Sequence, residues 1–216
     1  MNTLEFPCNQ TLTLQGPAGA LEALTACPVR GGVPATAVIL HPHPLYGGTL
    51  QNKVVHTLAR AFGDLGVASV RFNFRGVGAS AGDFAQGVGE TDDALAVIEW
   101  VRAQQPGTSV WLAGFSFGAA VALRAAQRTK VAGLITVAPA VNLYDFSALS
   151  TPSCPWLLIQ GEADEVVPVE GVRTWLSGIA PPPQTIFLPD VSHFFHGHLN
   201  DLKVAVNNFV PPHLPR

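Results

Sequence analysis

Six short runs of apolar and β-branched residues punctuate the chain, at 37–40 ("AVIL"), 67–74, 109–114, 131–137, 156–160 and 184–188. Apolar at most positions and only a few residues long, they have the pattern of strands buried on both faces. Between them the apolar residues recur at helical spacing, over 52–65 ("NKVVHTLARAFGDL"), 90–105, 116–128, 169–179 and 199–209. Thr91 with Asp92 and Asp93 places a capping residue and acidic groups in the first turn of the second helix, and Pro106-Gly107 stops it. Two or three earlier strands, around 4–14 and 21–26, predict an antiparallel edge before the alternation begins. Strand, helix, strand repeated in this way implies right-handed crossovers, and hence an α/β, doubly wound, mostly parallel sheet with an antiparallel N-terminal edge and helices on both faces. With no internal repeat and no Pro/Gly/Ser-rich linker, residues 1–216 read as one domain.

In such a sheet, ligands bind beyond the carboxyl ends of the strands, so the residues just after each apolar run carry the chemistry. After the run at 109–114 comes Gly114-Phe115-Ser116-Phe117-Gly118, a G-x-S-x-G pattern between a strand and a helix. A sharp strand-to-helix turn strains the serine backbone and leaves no room for side chains two residues to either side, which the glycines would relieve. Ser116 is the candidate nucleophile, and the competing reading is a plain helix cap. After the run at 156–160 comes "GEADEVVP", where Asp164 is the candidate orienting acid, with Glu162 and Glu165 as competitors. After the run at 184–188 comes "LPDVSHFFHGHL", which offers His193, His196 and His198. His193, first after the strand, is the candidate base. Asp190 ranks below Asp164 because it belongs to the histidine's own loop.

An oxyanion hole needs two preorganised N–H donors. Phe117, following the nucleophile, is one, and the other belongs to "HPHPLYGGTLQNK" after the run at 37–40. Pro42 and Pro44 have no N–H to give, which leaves His43, braced by both prolines, and Leu45 as the alternative. Leu45, Tyr46, Phe115, Phe117, Phe194 and Phe195 are candidates to line an apolar acyl or alcohol pocket, with ordinary core packing as the competing role for each.

Composition narrows the rest. The 216 residues are 48% hydrophobic and 12% charged, which excludes a disordered chain, and no apolar run reaches the roughly 18 residues of a membrane span. The net charge of -3, without a Lys/Arg cluster, gives no footprint for nucleic acid or for a membrane surface, so a small-molecule partner is expected. Low charge is also compatible with a homodimer. "MNTLEFPCNQTLTL" lacks the basic and apolar regions of a secretion signal, and a cytoplasmic location is expected. Cys8, Cys27 and Cys154 are far apart and in no C-x-x-C arrangement, so free thiols are expected.

Nucleophile, acid and base in the order Ser116, Asp164, His193, each after a successive strand, resemble the α/β-hydrolase superfamily over nearly the whole chain. "HPHP" resembles that superfamily's H-G-x-P oxyanion segment with His43 at the x position, "FNFRGVGAS" its D-x-R-G-x-G-x-S loop, and "GEADEVVP" its G-x-x-D-x-x-V-P acid loop. More narrowly, the chain resembles the small bacterial serine hydrolases related to dienelactone hydrolase, which are carboxylesterase-like. Pro42 stands where H-G-x-P has glycine, and Ser116 where dienelactone hydrolase has cysteine. Between 141 and 154, where larger relatives insert a lid, there is room only for a short helix at 144–149. The resemblance implies a lidless esterase working by an acyl-enzyme mechanism with no cofactor and no metal.

Three other readings compete: a thioesterase or amidase on the same three residues, a metal-dependent hydrolase using His41, His43 and the later histidines, and a catalytically silent binding protein. "RGVGASAG" at 75–82 follows a strand, but its third glycine falls one position late for a dinucleotide loop and it opens no helix directly. A glycine-rich loop beside the active site is its expected role.

Overall fold

Eight strands form one sheet in the order β1-β2-β4-β3-β5-β6-β7-β8. They are β1 (Thr11–Gly16), β2 (Gly19–Ala26), β3 (Ala35–Leu40), β4 (Ala68–Phe72), β5 (Ser109–Phe115), β6 (Gly133–Val137), β7 (Trp156–Gly161) and β8 (Gln184–Leu188). The structure is a computed structural model and describes residues 6–28, 31–144, 146 and 149–215. β2 pairs antiparallel with both β1 and β4, and every other pairing is parallel. Burial follows the chemistry of the runs: β3, β5, β6 and β7 lie in the interior, while edge strand β1 alternates between exposed and covered positions and β8 is only partly covered.

Among the described residues, five α-helices cover the two faces: α1 (Lys53–Asp64), α2 (Val88–Gln104), α3 (Phe117–Arg128), α4 (Val169–Ser177) and α5 (Leu199–Phe209). α2, α3 and α4 pack on one core, around Leu40, Phe72, Leu112 and Leu158. α1 and α5 pack on the other, around Ile39, Trp111, Ile135 and Leu157. β3 leads through α1 to β4 on one side, whereas β5 lies on its other side, with Leu40 paired to Gly114. The chain therefore changes winding direction between β3 and β5, and the segments leaving their carboxyl ends face each other across the crevice where such sheets bind ligands.

Several expectations need correction. The first strand begins at Thr11 rather than near residue 4, and residues 6–10 are irregular. α2 begins at Val88, and its cap is not Thr91: Glu90 turns back to accept from the N–H groups of Ala85 and Gly87, each at 2.7 Å, while Thr91 Oγ1 donates within the turn to the Gly87 carbonyl. A carboxylate satisfies two orphan donors where a hydroxyl satisfies one. Of the helix expected at 144–149, residues 145, 147 and 148 lie outside those described.

The cysteines are also different from expectation. Cys8 and Cys27 form a disulfide across the β1-β2 hairpin. The ladder opposes Thr11 to Leu24, and carrying that register three residues outward sets Cys8 opposite Cys27, with Cα atoms 5.2 Å apart. Cys154 alone is free, and burial pushes its thiol up to about 11.

Candidate active site at the sheet's switch point

β5 delivers Ser116 to the N-terminus of α3 with φ 55° and ψ −114°, a conformation that costs a non-glycine residue on the order of 1–3 kcal/mol. Two things hold it there. The Ser116 N–H donates to the Val137 carbonyl at 2.8 Å, and the glycines let the turn close. A Cβ at Gly114 would strike the Gly118 carbonyl, and one at Gly118 would strike the carbonyls of Leu40 and His41 at the end of β3. Ser116 does not cap the helix with its side chain. Its Oγ lies 3.2 Å from His193 Nε2 instead.

His193 sits in the loop after β8, its side chain only 3% exposed, with Nδ1 2.8 Å from Asp164 Oδ2. The imidazole lies over the Phe115 ring at 5.0 Å between centroids and meets the edge of Phe194 at 5.1 Å. Asp164 is fully buried, and its carboxylate is saturated: Oδ1 accepts from the N–H groups of Val166 at 2.9 Å and Val167 at 2.6 Å, and Oδ2 also accepts from Gln160 Nε2 at 3.0 Å. A carboxylate with that many donors is held in one orientation. Hence Ser116, His193 and Asp164 form one hydrogen-bonded chain across three loops.

The competing acids have other positions. Glu165 accepts from the His193 backbone N–H at 3.1 Å, Glu162 pairs with Arg173, and Asp190 is exposed on the turn after β8. Gln160 was missed by sequence reasoning because it closes an apolar run. The available signal was that run's polar last residue, four before the acid.

His43 and Phe117 meet on the other side of Ser116, their rings 5.1 Å apart. Neither the His43 nor the Phe117 backbone N–H donates to a protein acceptor among the described residues. Leu45 N–H donates to His43 Nδ1 at 3.2 Å, which ties that donor within its own 3-10 turn, Pro44–Tyr46. Burial lowers the His43 imidazole below its ordinary value, consistent with a neutral ring that accepts.

His41 anchors this segment. Fully buried, it donates from Nδ1 to the Pro42 carbonyl at 2.7 Å, while Nε2 accepts from the Phe74 N–H at 3.0 Å, and burial pushes its pKa down to about 4. Pro42 C=O and His43 N–H belong to one peptide plane and point opposite ways. The His41 bond therefore sets the direction of the His43 donor.

The glycine-rich loop after β4 braces the same segment. Asn73 accepts from the Leu50 N–H at 2.8 Å and Arg71 Nη1 donates to the Leu50 carbonyl at 3.0 Å. Arg75 clamps that loop to α2 through two side-chain bonds and one backbone bond to the buried Asp93.

Of the expected pocket residues, Leu45, Tyr46 and Phe194 are exposed around the cleft. Phe115 and Phe195 are not walls: both are wholly buried, Phe115 beneath His193, because the residue before the turn still belongs to the strand and points into the core. Sequence reasoning missed Phe84 and Tyr144, whose rings lie 5.8 Å and 5.4 Å from Phe117. Of the histidines proposed as metal ligands, His41 has both nitrogens taken by backbone groups and His198 pairs with Asp201. Among the described residues, no three His, Cys, Asp or Glu side chains gather as a metal site, and no helix is long and apolar enough to cross a membrane.

Comparison with known proteins agrees with this architecture. Residues 21–152 match the family model described as X-Pro dipeptidyl-peptidase (S15 family). An uncharacterized protein of Rickettsia prowazekii is 34% identical over 205 residues, covering 90% of this chain and 86% of the relative. The crystal structure of XC6422 from Xanthomonas campestris, a member of the α/β serine hydrolases without lid, superposes with a TM-score of 0.94 at 47% identity, covering 98% of both chains. An α/β serine hydrolase homologue from Coxiella burnetii superposes at 0.91 with 45% identity, over 94% of this chain and 98% of that one. With this sheet, this serine turn and these relatives, the chain belongs to the S15 family within the α/β-hydrolase superfamily.

Proposed function

We propose that the protein hydrolyses small carboxylic esters by two-step acyl transfer at Ser116. The observation that carries this reading is the hydrogen-bonded chain Ser116 Oγ, His193, Asp164 at a strained turn. His193 Nε2 takes the hydroxyl proton as Oγ attacks the ester carbonyl carbon. The resulting oxyanion is held by the N–H groups of Phe117 and His43. As the tetrahedral species collapses, the proton passes from His193 to the departing alkoxide, leaving an acyl-Ser116. Water, deprotonated by the same histidine, attacks this acyl group, and the proton returns to Oγ as the acid leaves. Asp164 remains ionised and stabilises the imidazolium formed in each half-reaction.

Two features support His43 as the second donor. Its N–H has no protein acceptor among the described residues, whereas the Leu45 N–H is already engaged. The exposed Tyr46 and Leu45, with Phe84, Phe117 and Tyr144 behind them, favour a planar or apolar acyl or alcohol group.

The family description favours a second reading, cleavage of an X-Pro peptide on the same residues. A peptide α-ammonium needs a free carboxylate, and the buried acids behind the cleft, Glu90 and Asp93, are held by backbone N–H groups and Arg75. Esters fit better.

The test is steady-state turnover of matched short-chain aryl ester, aryl thioester and X-Pro aryl amide by wild type and Ser116→Ala. The ester is expected to have the highest kcat/KM, and the substitution to lower it by roughly 10⁴-fold or more. Stoichiometric loss of activity to a serine-directed phosphonate, with no loss to a chelator, is expected alongside. Full turnover by Ser116→Ala would end the proposal, and a dominant amide rate would select the second reading.

A further inference from the structure

A groove away from Ser116 is lined by a buried cation. It has a volume of about 490 Å³, within the range of small-ligand sites, and lies on the α1 face where the sheet runs out from under the helices toward its antiparallel edge. Ala26 and Cys27 of the β2 end form one rim, His56, Ala59, Arg60 and Asp64 of α1 form the other, and Arg71 of β4 reaches into it.

Arg71 is the anomaly. It is 6% exposed, it stands next to the end of β4 between Val70 and Phe72, and its only side-chain hydrogen bond among the described residues is from Nη1 to the neutral Leu50 carbonyl. Nε is buried without a partner, and the guanidinium forms no ion pair among the described residues. Burial depresses its pKa with no compensating carboxylate, although the group still keeps its charge. A buried cation without a counter-charge is strongly unfavourable unless something supplies one.

The surroundings add positive charge. The Arg60 guanidinium lines the groove, and the His56 imidazole between is lowered first by partial burial and then by the charges of Arg71 and Arg60. Asp64, the carboxylate on the rim, is paired with Lys203 of α5. In a chain with a net charge of -3, this groove is a local positive site.

We propose that the groove is a second ligand site, which binds a small oxyanion of the phosphate or carboxylate type on Arg71, with Arg60 and His56 closing over it. A planar guanidinium fork receives two oxygens of such a group at once, and here only Nη1 is engaged and Nε has no partner among the described residues. Arg71 touches the oxyanion segment through Leu50, but binding in the groove does not depend on the reaction proposed at Ser116.

The test is calorimetric and thermal-melt titration of the intact protein with inorganic phosphate and with succinate, against sodium chloride at matched ionic strength. Saturable 1:1 binding, roughly millimolar or tighter, is expected for at least one probe. Phosphate alone assigns a phosphoryl ligand, and succinate alone a carboxylate. Arg60→Ala, at an exposed helix position, is expected to weaken binding at least tenfold, and Arg71→Lys to weaken it while preserving the fold. Ser116→Ala is expected to bind as wild type does. Equal shifts with chloride, no saturation with either probe, unchanged affinity in Arg60→Ala, or loss of binding in Ser116→Ala would each overturn the proposal.

Discussion

At the scale of single residues, the site depends on side chains held by several donors at once. Gln160 Nε2 donates to Asp164 Oδ2 and also to the carbonyls of Gly161 and Val167, so it fixes the acid loop as well as the acid. Gln160→Leu removes a bond to a charged group, worth about 1.5–3 kcal/mol, and kcat for a short-chain ester is expected to fall about tenfold or more with KM nearly unchanged. An unchanged kcat would show that the remaining donors orient Asp164 unaided. His41 makes a prediction in pH. Its folded pKa of about 4 lies below the ordinary 6.5, so between those values the unfolded chain takes up a proton that the folded chain refuses. Stability from this group is complete above about pH 6.5 and is lost as pH falls toward 4, by about 3 kcal/mol in all. Urea unfolding at pH 7.5 and pH 5 is expected to show this slope in wild type and a shallower one in His41→Gln.

At the scale of elements, the loops of the site are brought together by turns in which a side chain at Gly114, Gly118 or Gly161 would strike backbone. α3 starts so close to β3 that a Cβ on Gly118 meets two β3-end carbonyls. Gly118→Ala is expected to lower unfolding stability by about 2–3 kcal/mol, the usual size of an overpacking defect, and to lower kcat more than KM because Phe117 N–H and Ser116 move with the helix start. Chemical denaturation and steady-state kinetics on the same variant check both parts. The β4 loop shows how an element acts at a distance from the chemistry. Arg75 and Asp93 clamp it to α2, while Asn73 and Arg71 hold Leu50 of the oxyanion segment by both its backbone groups. In sequence "FNFRGVGAS" was readable as a glycine-rich loop beside the site. That its Asn73 holds another loop was not, because the partner lies 23 positions away.

At the scale of the whole molecule, the disulfide and the candidate site lie in different regions. Cys8 and Cys27 staple the antiparallel edge, whereas Ser116 stands at the carboxyl ends of the central strands. A bond closing a 19-residue separation restricts the unfolded chain by about 3 kcal/mol. Cys8→Ser with Cys27→Ser is therefore expected to lower stability by about that much in non-reducing conditions and to leave ester turnover at moderate temperature unchanged. A reductant is expected to bring wild type down to the level of the double variant, which ties the protein's stability to the redox state of its surroundings.

The sequence by itself determined the sheet and the places where chemistry is possible, because both are local. Continuous apolar runs read as parallel strands, helical spacing reads as the cover, and a glycine-flanked serine at a run's end reads as a turn wherever the chain folds. Only the tertiary structure decided which partners meet. Ser116 and His193 are 77 residues apart, and three carboxylates lie within four positions of one another in the acid loop. The hairpin register joined two cysteines that spacing had set apart, and the sheet order buried Arg71 with no ion pair among the described residues. Contacts of this kind depend on how strands are ordered and how faces are covered, which no stretch of chain carries alone.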